Sequence, residues 1–223
     1  MAGPGGPRRL AIVGGGGMAR EALWLAREAI ESFEVVGFLD DATERRGEAF
    51  DGVPILGPVA DWERHDAELV VAIGAPRIRK AVVERIRAAG APRFATLVHR
   101  SVRIGQNVAI GAGSMVAAGA VLTCDIAIGQ HVLINVNCVV SHDSRLGDFA
   151  TLAPGVVIPG AVSVGQGCEV ALGASVRNGI ALGDGAMIGM GSVVTREVEA
   201  GAMVCGAPAR RMRTLAPFGD GAA

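Results

Sequence analysis

Residues 128–158 read IGQHVLINVNCVVSHDSRLGDFATLAPGVVI, and a branched aliphatic residue recurs in them at every sixth position. The series extends in both directions and covers much of the second half of the chain. Its members are Ile104, Ile110, Val116, Leu122, Ile128, Ile134, Val140, Leu146, Leu152, Ile158, Val164, Val170, Val176, Leu182, Ile188 and Val194. A small or apolar residue stands two positions before each of them. Because side chains alternate between the two faces of a strand, we expect both series to face one interior.

A third series, three residues after the aliphatic positions, favours corners with a positive φ. It contains glycines and the residues that best tolerate that backbone conformation. These are Gly113, Gly119, Gly155, Gly167, Gly173, Gly179, Gly185 and Gly191, with Asn107, Asp125, His131, Asn137 and Asp143. Short strands joined by a corner every six residues predict a parallel β-helix with three hexads to a coil. Residues 102–191 then form about five coils.

The composition limits the classes of protein to which this chain can belong. With 223 residues, 50% of them hydrophobic, 19% charged and a net charge of −1, the chain is expected to be globular, with one large or two small domains. The balanced charge and the 4% of aromatic residues argue against binding to nucleic acid. The four cysteines form no C-x-x-C pair, which disfavours a zinc ribbon or a disulfide framework. We expect a cytoplasmic protein with no membrane segment.

The first half begins with the pattern of a βαβ unit. A strand over 9–13 runs into Gly14–Gly17, a helix is predicted over 18–30, and a second strand over 34–39 ends in Asp40 and Asp41. Backbone N–H groups of a glycine turn at a helix start can bind a phosphate, and an acid after the second strand can bind a ribose or base.

The rest of this half is short. A strand over 68–73 ends at Gly74, and a helix over 78–89 is stopped by Gly90. About four parallel strands fit in this length, so a mononucleotide ligand suits it better than NAD, and an NAD-dependent oxidoreductase is disfavoured. We predict a Rossmann-like nucleotide-sugar-binding domain over 1–98 and a β-helix domain with a C-terminal tail over 99–223.

The two halves together resemble the NeuD/PglD-like family of sugar O- and N-acetyltransferases, which includes perosamine N-acetyltransferases. The likeness rests on the glycine turn with its Asp-Asp pair, the strand that ends in I-G, and the segment S-H-D-x-x-x-G-D-F at 141–149. It implies a small Rossmann-like domain followed by a left-handed parallel β-helix. It further implies acetyl-CoA as co-substrate, no metal, and a homotrimer with active sites between subunits.

His142 is the candidate general base. It stands at an outer corner position, two residues after Val140, and belongs to the segment that matches the family's catalytic histidine. An ordinary histidine, with a pKa near 6.5, is suited to removing a proton from an attacking amine or hydroxyl. The resemblance assigns Asp143 to orient the imidazole, although aspartate is also favoured at that corner for backbone reasons.

The resemblance also implies the binding residues. Those for the nucleotide sugar are Gly16, Gly17, Met18, Asp40, Asp41 and Gly74, and those for acetyl-CoA are Thr151, Leu172, Gly173, Met190 and Arg210. Relatives often carry histidine where this chain has Met18 and Thr151. Arg210, with Arg211 and Arg213, can meet CoA phosphates or open a solvated basic helix.

The expected function is transfer of an acetyl group to the amine of a nucleotide-linked amino sugar, with a 4-amino-4,6-dideoxy sugar favoured. The alternatives are O-acetylation of sialic acid and a non-catalytic trimeric scaffold. A γ-class carbonic anhydrase shares the fold, but its zinc needs three histidines and the coils offer only His131 and His142. The outward apolar residues Val136, Val139, Leu172 and Met190 predict a partner surface.

Overall fold

The structure, a computed structural model, describes residues 6–42 and 47–219. The first half forms an α/β layer. Its elements are β1 (Arg8–Val13), α1 (Gly17–Arg27), β2 (Phe33–Leu39), β3 (Ala49–Phe50), β4 (Val53–Gly57), a 3-10 helix (Val59–His65), β5 (Glu68–Val71) and α2 (Pro76–Ala89).

These strands form one sheet in the order β3-β4-β2-β1-β5. The four predicted parallel strands are confirmed as β4, β2, β1 and β5, while β3 pairs antiparallel with β4. Helix α1 ends at Arg27 and not at Ile30 as predicted. The reason is that Ala29 bridges to His99 and the Ile30 N–H donates to the Val98 carbonyl at 2.8 Å, so this stretch pairs with the second half of the chain.

The second half winds into three flat faces. Face A contains β6 (Leu97–Val98), β9 (Met115–Val116), β12 (Leu133–Ile134), β15 (Thr151–Leu152), β18 (Glu169–Val170), β21 (Met187–Ile188), β23 (Ala202–Cys205) and β24 (Arg210–Thr214). Face B contains β7 (Arg103–Ile104), β10 (Val121–Leu122), β13 (Val139–Val140), β16 (Val157–Ile158), β19 (Ser175–Val176) and β22 (Val193–Val194). Face C contains β8 (Val108–Ile110), β11 (Ile126–Ile128), β14 (Arg145–Leu146), β17 (Ser163–Val164) and β20 (Ala181–Leu182).

Except for the antiparallel pair β23–β24 on face A, the pairing within each face is parallel and regular. Val121 pairs with Val139 and Val139 with Val157, so one coil takes eighteen residues. The aliphatic series lies in a continuous buried core from Val116 onwards. All the corner residues predicted to have a positive φ do have one. The predicted fold class, a small α/β domain followed by a hexapeptide-repeat left-handed β-helix, is confirmed.

Two details depart from the simple pattern. Ile104 belongs to the interior series but is 41% exposed, because its strand β7 is the terminal strand of face B and no preceding coil covers it. Phe149 and Ala161 stand at corners with φ values of 60° and 58°, which their side chains make unfavourable. Neighbouring contacts must therefore hold these two corners.

The C-terminal tail is a strand and not the start of a helix. Strand β24 pairs antiparallel with β23, and Arg210, Arg211 and Arg213 are exposed on it. The possibility that these arginines open a basic helix is therefore wrong. None of the helices in the described residues is both long and apolar enough to cross a lipid bilayer.

The two halves share a core. Leu97, Met115 and Leu133 on face A pack in one buried cluster with Leu10 of β1 and Leu23 of α1. Face A is thus the face that carries the α/β layer, and this contact decides which edge of the β-helix lies beside the glycine turn.

Candidate active site

The glycine turn ends β1 and opens α1. Gly14 has φ of 118°, and a Cβ atom there would lie 3.1 Å from the Ala72 carbonyl oxygen, so the close approach of β5 requires glycine. Gly16 is the N-cap residue of α1. A Cβ atom on Gly16 or Gly17 would meet no described atom within 4 Å. The space beside this helix start is therefore open, and N–H groups at a helix start favour an anionic ligand.

The two aspartates after β2, Asp40 and Asp41, make different contacts. Asp41 accepts a hydrogen bond from the Val59 N–H at 2.9 Å and pairs with Arg85. Burial raises the pKa of Asp41, but the hydrogen bonds from Arg85 and Val59 outweigh it and hold that pKa below its ordinary value. Asp40 accepts from the Ala42 N–H at 2.9 Å. Asp41 thus fixes the loop, and Asp40 is the more available acid for a ligand.

Gly74 and Thr151 lie against each other. The Thr151 hydroxyl donates to the Gly74 carbonyl at 3.2 Å and accepts from Arg79 at 2.8 Å. Thr151 is only 6% exposed, on the face that carries α2. Its hydroxyl is engaged within the chain, and a contact from Thr151 to the cofactor remains a prediction.

A cavity of about 180 Å³ lies between α1 and the edge where face A turns into face B, which we call the A–B edge. Helix α1 lines it with Met18, Glu21 and Trp24, and the A–B edge with Asn135 and Pro154. Of these residues only Met18 was predicted from the sequence. The others carry no local motif, because they meet only through the docking of α1 on face A.

His142 and Asp143 lie at the edge where face B turns into face C, the B–C edge. Both side chains are well exposed, and His142 Nδ1 is 2.8 Å from Asp143 Oδ2. A carboxylate in that position favours the tautomer with the proton on Nδ1, which leaves the lone pair on Nε2. Asp143 has φ of 59°, so the same residue forms the corner and contacts the imidazole.

Gly160 lies one coil beyond His142 and leaves room for its ring. A Cβ atom on Gly160 would come within 2.4 Å of both Cε1 and Nε2 of His142. Any larger residue at 160 would force the imidazole to move. Gly160 was not predicted from the sequence, because no local motif marks it, although the eighteen-residue coil places it beside His142.

The residues predicted to bind acetyl-CoA form a second group. Leu172 and Met190 lie on the A–B edge in consecutive coils, 48% and 72% exposed, and Gly173 forms a corner there with φ of 65°. Arg210 lies exposed on β24. The cavity at Met18 lies along the same A–B edge. Within one chain, however, face B separates all of these residues from His142.

The other histidines are buried or half-buried. His99 accepts from the Ser101 N–H at 3.0 Å, and His131 is 1% exposed in an aromatic stack with Phe94 and Phe149. Among the described residues, no group of three or more His, Cys, Asp or Glu side chains is placed to hold a metal ion.

Comparison with known proteins gives two family models. The PglD N-terminal domain matches residues 9–86, and the hexapeptide repeat of succinyl-transferase matches residues 101–123 and 161–196. Among curated proteins, no sequence matches the chain.

Solved structures match nearly the whole chain. PerB, the perosamine N-acetyltransferase of Caulobacter crescentus, solved with CoA and GDP-perosamine, is 30% identical, with a TM-score of 0.83 over 96% of this chain and all of its own. The chain belongs to the NeuD/PglD-like family of sugar acetyltransferases. Family membership confirms the predicted enzyme class, an acetyl-CoA-dependent sugar N-acetyltransferase.

Two further solved structures extend the comparison. The acetyltransferase domain of PglB from Neisseria gonorrhoeae, solved with acetyl coenzyme A, is 28% identical, with a TM-score of 0.83 over 93% of this chain and all of its own. WeeI from Acinetobacter baumannii is 28% identical, with a TM-score of 0.74 over 92% of this chain and all of its own. Two other structures of the Caulobacter enzyme carry asparagine or alanine in place of one histidine.

Proposed function

We propose that the protein transfers the acetyl group of acetyl-CoA to the amine of a nucleotide-linked 4-amino-4,6-dideoxy sugar, with His142 as general base. The observation that carries this proposal is the exposed His142–Asp143 pair, with 2.8 Å between Nδ1 and Oδ2, in a member of this family. The complex of PerB with CoA and GDP-perosamine supports the substrate class.

The reaction is a direct attack. The sugar amine, as the free base, forms a C–N bond to the thioester carbonyl carbon while Nε2 of His142 takes its proton. The C–S bond then breaks, and the imidazolium returns the proton to the departing sulfur, which gives CoA thiol and an acetamido sugar. Asp143 holds the tautomer with the proton on Nδ1 and stabilises the imidazolium.

Two of the cysteines are unsuited to forming an acyl-enzyme. Cys138 and Cys168 are buried in the core of the β-helix. Burial raises the pKa of Cys138 to about 11 and that of Cys168 even further. Since the thiolate is the nucleophilic form, neither residue supplies one at neutral pH.

The nucleotide-sugar site is assigned to the start of α1. The N–H groups of Gly16 and Gly17 suit a diphosphate, and Asp40 suits a ribose or base. From there the sugar extends into the cavity beside Met18 and Asn135. Acetyl-CoA is assigned to the A–B edge, along Leu172, Gly173 and Met190, with its phosphates towards Arg210.

One chain alone does not complete this site, because face B separates His142 from the A–B edge. The outward residues of face B include an apolar column of Val121, Val139 and Val157, with Val193 beyond Ser175, and this surface suits a second copy. We therefore assign the active form to a homotrimer. In it, the B–C edge of one subunit, with His142, meets the A–B edge of the next.

The test is release of CoA thiol from acetyl-CoA with UDP-, GDP- and dTDP-linked 4-amino-4,6-dideoxy sugars and with free and CMP-linked sialic acid. We expect turnover with one amino sugar. His142→Ala should lower kcat by at least roughly 100-fold while acetyl-CoA still binds. His65→Ala, at a half-buried histidine of the first half, is the matched control and should keep wild-type rates.

Three outcomes would contradict the proposal. Turnover with a sialic acid alone would identify an O-acetyltransferase. Binding of acetyl-CoA without turnover of any acceptor would remove the nucleotide-sugar assignment. Absence of acetyl-CoA binding would favour a trimeric scaffold.

A further inference from the structure

Arg79 of α2 is a buried cation at the junction of the two halves. It is 1% exposed, and it is the largest side chain among the fully buried residues. Among the residues that the structure describes, its guanidinium donates only to uncharged oxygens. The acceptors are the carbonyls of Ile73 (2.6 Å), Gly74 (2.8 Å), His131 (3.0 Å), Phe149 (2.7 Å) and Ala150 (3.3 Å), and the hydroxyl of Thr151 (2.8 Å).

These acceptors belong to two separate parts of the molecule. Ile73 and Gly74 lie in the loop that follows β5 of the α/β layer, whereas the residues at 131 and 149–151 belong to consecutive coils of the β-helix. A planar guanidinium can donate in several fixed directions at once, which a lysine ammonium on a flexible stem cannot reproduce. Arg79 therefore sets an orientation between the two parts as well as a contact.

The end of β5 is in turn in contact with the glycine turn. The Ala72 N–H donates to the Val13 carbonyl at 2.8 Å, and a Cβ atom on Gly14 would lie 3.1 Å from the Ala72 oxygen. A shift of the β5 end therefore shifts the turn. The bond from the Thr151 hydroxyl to Gly74 ties the same loop to the β-helix a second time.

Contacts other than those of Arg79 also hold α2 against the β-helix. Arg87 stacks on Phe94 at 5.5 Å, and Phe94 meets the His131 ring edge to face at 4.5 Å. A buried charge is an inefficient source of stability, because removing it from water costs more than an apolar side chain would. Burial lowers the pKa of Arg79 to about 10, with Glu169 of β18 opposing that shift, so Arg79 stays protonated at neutral pH.

We propose that Arg79 is a positioning residue, which fixes the nucleotide-binding turn in one orientation on the β-helix and so sets the distance between the two substrate sites. The inference rests on the proposed function, since it concerns the alignment of the nucleotide sugar with the acetyl donor. Misplacement of reacting groups by about 1 Å can lower a rate on the order of 100-fold, even when each ligand still binds.

The test compares Arg79→Lys with Arg87→Lys, a matched change later on the same helix, where Arg87 donates to Gln130 at 2.7 Å. Four quantities are measured well below the melting temperature: kcat with the active nucleotide sugar, the Kd of acetyl-CoA, the Kd of the nucleoside diphosphate, and hydrogen exchange over residues 13–18. We expect Arg79→Lys to lower kcat by at least roughly 30-fold and to speed exchange in the turn, with both Kd values within about threefold. Arg87→Lys should leave all four near wild type.

A purely structural role would lower the melting temperature of Arg79→Lys but leave kcat and turn exchange unchanged, and that result would overturn the proposal. If Arg79→Lys does not fold, the test uses Thr151→Val, which removes the hydrogen bonds of the Thr151 hydroxyl with Arg79 and with Gly74. An unchanged kcat in Thr151→Val would also overturn the proposal. If the wild type turns over no acceptor, the proposed function fails. The exchange rates alone then decide whether Arg79 fixes the turn.

Discussion

At the scale of single residues, His131 shows how one position can meet two demands. The corner requires a residue that tolerates a positive φ, and His131 has φ of 53°. Its ring also stacks on Phe149, with 5.2 Å between the ring centroids and an interplanar angle of 10°. Among the described residues its Nδ1 has no hydrogen-bond partner, whereas its Nε2 lies 3.3 Å from the Arg87 guanidinium.

The burial of His131 predicts an acid-sensitive fold. Burial, with Arg87 and Arg79 nearby, lowers the pKa of His131 to about 3 in the folded state, against about 6.5 when unfolded. Between these values the unfolded chain binds the extra proton, so this contribution to stability is present above pH 6.5 and is lost as the pH falls towards 3. His131→Asn keeps a corner-tolerant residue. Urea unfolding at pH 7.5 and 4.5 should show that the variant loses roughly 2–3 kcal/mol less than the wild type between these two pH values. Equal losses in both proteins would show that His131 does not control acid stability.

At the scale of elements, the segment after β24 joins α2 to the β-helix. Phe218 lies over the corners at Gly167 and Gly185, where Cβ atoms would come within 2.1 Å and 2.7 Å of it. Arg77 and Lys80 of α2 lie over the same ring at 5.5 Å and 5.2 Å. Glycine at these two corners therefore makes room for an aromatic ring, in addition to allowing a positive φ.

Removal of this ring should weaken the fold without affecting the chemistry. Phe218→Ala is expected to lower the free energy of unfolding by about 1–2 kcal/mol, from lost apolar burial and cation–π contact. Urea titration measures the change, and kcat should stay at the wild-type value. Met212→Ala, at a 62% exposed apolar residue of β24, is the control and should change stability by less than about 0.5 kcal/mol. A similar loss of unfolding free energy in both variants would show that Phe218 makes no specific contribution to stability.

The elements were predictable to different degrees. The six-residue series predicts the strands, the corners and the interior residues together, because every coil needs buried side chains and positive φ values at the same positions. The end of α1 was not predictable, since it depends on pairing with a distant segment at Val98. Strand β24 was not predictable either, since it forms a local antiparallel pair with β23 outside the six-residue aliphatic series. The same holds for Arg79, whose charge suggests an exposed position until α2 is docked on the coils.

At the scale of the whole molecule, the site divides into a part that the sequence can predict and a part that it cannot. His142 and Asp143 are next to each other in the chain, so a local motif marks them and their 2.8 Å contact needs no long-range information. The cavity of Met18, Trp24 and Asn135 is formed by two halves that meet. Its composition follows from how the α/β layer sits on face A, which no local pattern encodes.

The proposed trimer gives a prediction at this scale. Val157 is outward on face B and 40% exposed, and a carboxylate there would be buried against the next subunit without a partner. Val157→Glu should therefore shift sedimentation from trimer to monomer and lower kcat by at least roughly tenfold, because the site needs two chains. Ser163→Glu makes the same change at the equivalent outward position of face C and should remain trimeric and active. A monomeric wild type, or a trimeric and fully active Val157→Glu, would refute the assignment of face B.

The eighteen-residue register also limits how this architecture can change in length. A single residue inserted into a strand would turn the aliphatic side chain of that strand outward, whereas a whole inserted coil keeps each strand in line with its neighbours. The coils around residues 131–151 are anchored to the α/β layer through Arg79. The gain or loss of a coil there would therefore change the position of that layer along the axis of the β-helix. Natural or designed relatives of other sizes should therefore differ by whole coils on either side of this anchored region.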